Sequence, residues 1–324
     1  YTEAPDAQAQ LAAFGEKCEQ YQIPCDLFHL SSGYTLGADG KRYVFTWNRN
    51  RVPEPKKMTA DFHRHGMRVA ANIKPALLTT HPRFNEVKAL GAFIREPESN
   101  NPQLFEFWGG TAAALDFTNP VAVEWWKKQV KEQLLDNGID STWNDNNEFE
   151  VTEPNARCVG FGKEIPISLA RPLQTLMMMR ASYDVQLENA PDERPFLISR
   201  AGAPGMQRYV QTWSGDNFTS WQTMKYNIPM GLGLNLSGVA NTGHDVGGFV
   251  GPSPSPELFL RWVQNGIFLP RFTIHSWKPG IRTTEPWMYP QILSKVRAAI
   301  LFRYRLIPYL YNLEVEASQT GHPV

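Results

Sequence analysis

Apolar positions along the chain fall into short runs separated by longer stretches of helical spacing, and the two patterns alternate throughout. Leu11, Phe14, Cys18 and Tyr21 recur at intervals of three and four, which places them on one helical stripe and predicts its burial. An apolar run at 24–30 then predicts a strand. A second helix is expected at 55–65, stopped by Gly66, which tolerates the left-handed C-terminal cap, and 69–73 reads as the next strand. Asn119 and Pro120 form an N-cap and first helical residue for a helix through Leu135, which Asn137-Gly138 ends before a strand at 139–143. Further strands are expected at 196–199, 210–214 and 239–242, with helices at 167–187, 256–267 and 290–319.

Strand and helix alternating on this scale predict an α/β fold with a parallel sheet. A doubly wound sheet would want a Gly-rich phosphate turn after the first strand, and the sequence has none. The alternation therefore favours a (β/α) barrel of the TIM type, with residues 1–324 as one domain, a length such barrels reach with insertions. No Pro/Gly/Ser-rich linker divides the chain.

Basic and acidic residues number 32 each, so no net field draws the chain to phosphate backbones or anionic lipid, and nucleic acid and membrane surfaces are poor partners. No apolar run reaches the roughly 20 residues of a membrane span. Cys18, Cys25 and Cys158 form no CxxC pair and no cluster with histidine, so neither a disulfide framework nor a metal site is expected. The 10 Trp and 18 Phe, several beside acidic residues near strand ends, suit sugars, whose ring faces stack while their hydroxyls need hydrogen bonds. Core packing is the plain alternative for most of them.

In such barrels the reactive groups lie at the C-terminal ends of strands. Three acidic clusters meet that condition: Ile139-Asp140-Ser141-Thr142-Trp143-Asn144-Asp145-Asn146-Asn147-Glu148, Trp213-Ser214-Gly215-Asp216-Asn217, and Gly243-His244-Asp245-Val246-Gly247-Gly248-Phe249. Taken singly, each suits a turn or helix cap as well as it suits a reactive site.

Together, and in this order, the clusters resemble glycoside hydrolase family 31. Ser199-Arg200, Phe272-Thr273-Ile274-His275-Ser276, Trp108-Gly109, and Asp116-Phe117-Thr118-Asn119-Pro120 followed by Trp125-Trp126 extend the match. The resemblance implies a retaining, exo-acting α-glycoside hydrolase, most simply an α-glucosidase, needing no metal or organic cofactor. Its partner would be an oligosaccharide or glycoside. It also implies a segment of a longer chain, with β-sandwich domains on both sides and with the first strand and most of the eighth lying outside these residues.

The roles implied by the motif positions are Asp145 as nucleophile and Asp216 as acid/base, with about 5 to 5.5 Å between carboxyls in a retaining pair. Arg200 and His275 would hold sugar at the cleavage subsite. Trp108, Trp143, Trp213 and Phe249 would line the pocket, although Trp213 fits a structural role equally well. Asp245 would either support the pocket floor or touch a hydroxyl.

Three positions depart from the family pattern. Ser31 stands where α-glucosidases of the family carry an aspartate that grips glucose hydroxyls, Lys74 precedes Pro75 where many members have Asp-Pro, and Asn146 replaces a methionine. An α-galactosidase or other α-glycosidase, and a transglycosylase sharing the covalent intermediate, are therefore alternatives. The Gly40-Lys41-Arg42 loop could meet an anionic substituent, with a solvated loop as the plain reading. A catalytically inactive carbohydrate-binding barrel is the non-enzymatic alternative, and it predicts loss of a carboxylate at one of the two catalytic positions. Both are present.

Overall fold

A computed structural model describes residues 1–280 and 282–324. By its internal contacts the chain divides into two compact units, one of residues 1–16 and 25–210 and the other of residues 17–24 and 211–324.

Helix α1 (Ala7–Tyr21) belongs to the first unit up to Glu16 and to the second from Lys17. It buries Leu11 and Cys18 completely or nearly so, and leaves Phe14 and Tyr21 half-buried. In the first unit, β1 (Leu27–Leu30) is followed by α2 (Pro55–Arg64) and β2 (Arg68–Ile73). Pro55 opens α2 at a position where its missing N–H costs no hydrogen bond. β2 is buried at all but its first residue, as a strand covered on both faces must be.

An antiparallel three-stranded sheet comes next, formed by β3 (Ala76–Leu78), β4 (Leu104–Phe107) and β5 (Gly110–Ala114) in the order β3-β5-β4, with α3 (Phe84–Ala89) between its first two strands. Helix α4 (Pro120–Gln129) opens with Asn119 accepting from the Val121 N–H at 3.0 Å, the cap that the sequence indicates. It continues through a π turn and a 3₁₀ turn to Asn137 and ends on left-handed Gly138 (φ 81°). β6 (Ser141–Asn144), the short ladder β7 (Arg157–Cys158) with β8 (Ile165–Pro166), helix α5 (Ile167–Asn189) and β9 (Leu197–Ser199) complete the unit. β1, β2, β6 and β9 pair in that order, every pair parallel.

The second unit contains β10 (Gln211–Trp213), α6 (Trp221–Leu236), β11 (Thr242–Val246), α7 (Pro256–Gly266), β12 (Arg271–Ile274) and α8 (Leu293–Thr320). Its strands are also parallel, in the order β10-β11-β12.

Four features correct the sequence reading. The strand expected at 239–242 instead begins at Thr242 and runs to Val246, so His244 and Asp245 lie within it. β12 is an additional parallel strand, and the antiparallel sheet and α6 were not expected. Gly243 sets the spacing of the β11–β12 pair, since a Cβ on it would stand 2.0 Å from the Arg271 carbonyl oxygen. Among the described residues no helix is long and apolar enough to cross a membrane.

Candidate active site

In the first unit the side chains of interest stand at the ends of β2, β6 and β9. Asp145 follows directly on β6, and its backbone N–H donates to the Ile73 carbonyl at 2.9 Å, so the parallel ladder extends to the carboxylate itself. The residue is 9% exposed. Asn72 and Lys74, two apart at the end of β2, project to one side of the strand. Lys74 Nζ donates to Asp145 Oδ2 at 2.6 Å, and Asn72 Nδ2 donates to the same oxygen at 2.9 Å.

Arg200, just past β9, brings Nη1 to 3.4 Å from Asp145 Oδ1. Its backbone N–H donates to the Asn144 carbonyl at 2.9 Å, and its Nε donates to Glu148 Oε1 at 2.6 Å. Asn147 joins the same two strand ends, donating to Ser199 Oγ at 2.8 Å and accepting from the Ala201 N–H at 2.9 Å. Burial alone would push the Asp145 carboxyl up. The Lys74 and Arg200 cations, helped by the Asn72 and Lys74 hydrogen bonds, outweigh it and hold the group down at about 2. This carboxylate is ionised throughout the neutral range.

Trp108 sits at the turn between β4 and β5, 42% exposed. Its ring faces two cations, with the Arg42 guanidinium 4.3 Å and Lys74 Nζ 5.2 Å from the centroid. Trp143 lies within β6, 4% exposed, with His29 tilted against its ring at 5.4 Å. Ser31, after β1, shares a hydrogen bond with the Thr2 hydroxyl at 2.6 Å.

In the second unit Asp216 is exposed on the loop after β10, next to left-handed Gly215 (φ 78°). Asn217 ties this loop to the segment after β11. Its side chain donates to the Asp245 carbonyl at 3.3 Å, and its side-chain and backbone oxygens both accept from the Phe249 N–H. The Phe249 ring stacks on His275 with centroids 5.2 Å apart and planes 28° from parallel.

Asp245 is fully buried and ion-paired with equally buried Arg271 at 3.3 Å. Arg271 in turn lies over the Trp213 ring, 5.5 Å from its centroid. Gly248 (φ 81°) lets the backbone pass Thr219, since a Cβ there would meet the Thr219 Cα at 2.6 Å and its N at 2.8 Å. The Gly-Gly step of the third acidic cluster thus has a packing reason of its own.

Asp145, Arg200, Trp108 and Trp143 thus cluster in the first unit, while Asp216, Phe249 and His275 lie around the strand ends of the second. Lys74, Asn72 and Glu148 were not singled out as site residues. The signal available for two of them was the spacing of Asn72 and Lys74 on a strand that ends where a reactive group should stand. Among the described residues no group of His, Cys, Asp and Glu is placed to hold a metal ion.

The model of the glycosyl hydrolases family 31 TIM-barrel domain matches residues 2–313. Alpha-glucosidase 2 of Bacillus thermoamyloliquefaciens is 35% identical over 311 residues, covering 93% of this chain and 38% of that protein. Neutral alpha-glucosidase AB of Sus scrofa is 32% identical over 327 residues, covering 98% and 34%. Among solved structures, the Tris-bound glucosidase II alpha subunit superposes with a TM-score of 0.87 at 28% identity, over 98% of this chain and 35% of that one. The Flavobacterium johnsoniae GH31 dextranase in complex with glucose superposes with a TM-score of 0.88 at 25% identity, over 99% and 41%. The chain spans about a third to two-fifths of the length of these relatives.

Proposed function

Because the chain belongs to glycosyl hydrolase family 31, whose TIM-barrel domain it forms, we propose that it is the catalytic barrel of a retaining, exo-acting α-glycosidase. The substrate class we assign is an α-glucoside, on the strength of the α-glucosidase relatives. In this reading Asp145 attacks the anomeric carbon and forms a covalent glycosyl ester, while Asp216 protonates the leaving oxygen and then deprotonates the water that cleaves the ester.

The observation that carries the reading is the state of Asp145. A nucleophilic carboxylate must be ionised, aimed and shielded from bulk water, and this one is 9% exposed with a hydrogen-bonded lysine and asparagine on one oxygen and an arginine beside the other. The same contacts fix its rotamer. Arg200 has a second anchor in Glu148, so it stays in place as the Asp145 charge passes into an ester bond. Asp216 stands on an exposed loop that water can reach, which supports an acid/base role for it. The buried Asp245–Arg271 pair supports the floor beneath Trp213 and is assigned no contact with substrate. Trp108 and the Phe249–His275 stack offer the flat surfaces that sugar rings pack against.

The test compares Asp145→Ala and Asp216→Ala in the whole protein. Asp145→Ala should be inactive whatever the leaving group. Asp216→Ala should lose about 10² to 10⁴-fold on natural glycosides, yet retain attack on a glycosyl fluoride, and added azide should restore turnover and yield an α-glycosyl azide. If Asp216→Ala is equally inactive on fluoride and glycoside and azide changes nothing, the assignment of Asp216 fails.

A further inference from the structure

The turn that carries Asp216 is anchored at both ends to neighbouring residues of β11. On its far side Asn217 donates from its side chain to the Asp245 carbonyl at 3.3 Å and accepts from the Phe249 N–H at 3.0 Å. On its near side the Ser214 N–H donates to the Gly243 carbonyl at 3.3 Å, and Ser214 Oγ lies 2.8 Å from His244 Nδ1. Only Gly215 and Asp216 lie between the anchors. Gly215 has φ 78° and open space where a Cβ would stand, so nothing packed against it sets the direction of the turn.

His244 meets Ser214 because the β10–β11 ladder pairs Trp213 with Gly243, which sets the next residue of each strand side by side on one face. The imidazole is 1% exposed. Its Nε2 points toward α6, where a Cβ on Gly231 would stand 3.4 Å away, so the glycine leaves room for the ring. Burial, with the Arg271 charge adding to it, pushes the ring down to about 4 against the pull of the Asn227 carbonyl. The ring is therefore neutral above about pH 5 and keeps a lone pair for the Ser214 hydroxyl. A buried imidazole costs desolvation that an apolar side chain would not. What it supplies here is an acceptor aimed at the residue two before Asp216.

We propose that His244 is a positioning residue for the acid/base: through Ser214 it fixes the near end of the turn and so aims the Asp216 carboxyl at the leaving oxygen. This rests on the glycosidase reading above and on Asp216 as its acid/base. Catalysis by a positioned group depends steeply on its placement, and a displacement of about 1 Å can cost about 10²-fold. Without the His244 contact the turn is held from Asn217 and from the Ser214 backbone, and the step at Gly215 is free to swing. Every Asp145 contact named above comes from the first unit, so the attack step keeps its machinery.

The experiment uses the whole protein and compares kcat/KM on two substrates, an α-glucosyl fluoride, whose departure needs little protonation, and an α-linked glucose disaccharide, whose departure needs a proton. H244L and S214A should each lose about 10 to 100-fold on the disaccharide, yet stay within about 3-fold of the wild type on the fluoride. H244N, whose Oδ1 can accept close to where Nδ1 does, should keep most of the wild-type ratio. The double variant H244L/S214A should be no worse than either single one, because both remove the same contact. Equal losses on the two substrates, as a merely structural histidine would give, overturn the inference, and so does an S214A with no loss. S214A removes only a hydroxyl and reads the contact even where H244L does not fold. Asp216→Ala separates the two readings: if it shows no difference between the substrates, the assignment of Asp216 fails, whereas if it shows one and S214A does not, only the role of His244 falls.

Discussion

Lys74 Nζ lies 2.6 Å from Asp145 Oδ2, and the two side chains are 10% and 12% exposed. A buried pair of this kind gives little net stability, but losing one partner strands the other in a place that cannot solvate it. The strand-end lysine is therefore best understood through its effect on the carboxylate, whose ionisation it secures.

Replacing Lys74 by Met should move the acid limb of the kcat/KM profile upward in pH. Arg200 would remain as the nearest cation at 3.4 Å, and the burial that opposes ionisation would count for more. A pH–rate profile of K74M against the wild type checks this. An acid limb that stays in place would mean that Lys74 does not govern Asp145.

The same shift has a consequence for stability. A carboxyl held down at about 2 contributes stability that is present in full above the ordinary carboxylate range and is lost as pH falls toward 2. The contribution is about 2 kcal/mol, from a shift of somewhat under two units. Thermal midpoints of the wild type and D145N, compared at pH 6 and pH 3, should show the wild type losing more on acidification. Equal losses would contradict the low value.

The strand-end positions of several candidate side chains could be read from the sequence because strand ends announce themselves. Trp143 to Glu148 follows a β-favouring Ser-Thr-Trp run after a Gly-stopped helix, and Asp145 stands one residue past the observed strand. β11 was misplaced because Gly243, His244 and Asp245 have poor strand propensity. Pairing on both sides and complete burial override that preference. Helix α6 was missed for the converse reason, since Pro229, Gly231 and Gly233 argue against a helix that tertiary structure nonetheless imposes. In the sequence Lys74 marks only a departure from Asp-Pro, because its contact with Asp145 exists only once the fold brings the end of β2 against the residue after β6.

The Asp245–Arg271 pair offers a test of the buried floor. R271M leaves a fully buried carboxylate without its cation and should cost about 3 to 5 kcal/mol, lowering the thermal midpoint. The double variant D245N/R271M should recover much of that loss, and the cycle gives the coupling between the two sites. A double variant no better than R271M would show that the pair does not act as a unit.

Glycine substitutions should separate close packing from open space. G243A drives a Cβ into the Arg271 carbonyl and G248A drives one into the Thr219 backbone at a positive φ, so both should yield little soluble protein. G233A in α6 meets nothing within 4 Å and should be neutral or gain up to about 1 kcal/mol. Soluble yield and melting of the three variants check the ranking.

The most direct test of Asp145 as nucleophile is to trap the ester. The whole protein is treated with 5-fluoro-α-glucosyl fluoride, whose good leaving group allows the ester to form while the ring fluorine slows its hydrolysis, then digested and sequenced by mass spectrometry. The expected result is a single glycosyl adduct on the carboxylate of Asp145, absent from D145N and retained in Asp216→Ala. An adduct on Asp216 or on any other carboxylate would contradict the assignment, as would no adduct together with NMR evidence that the first-formed sugar has inverted configuration.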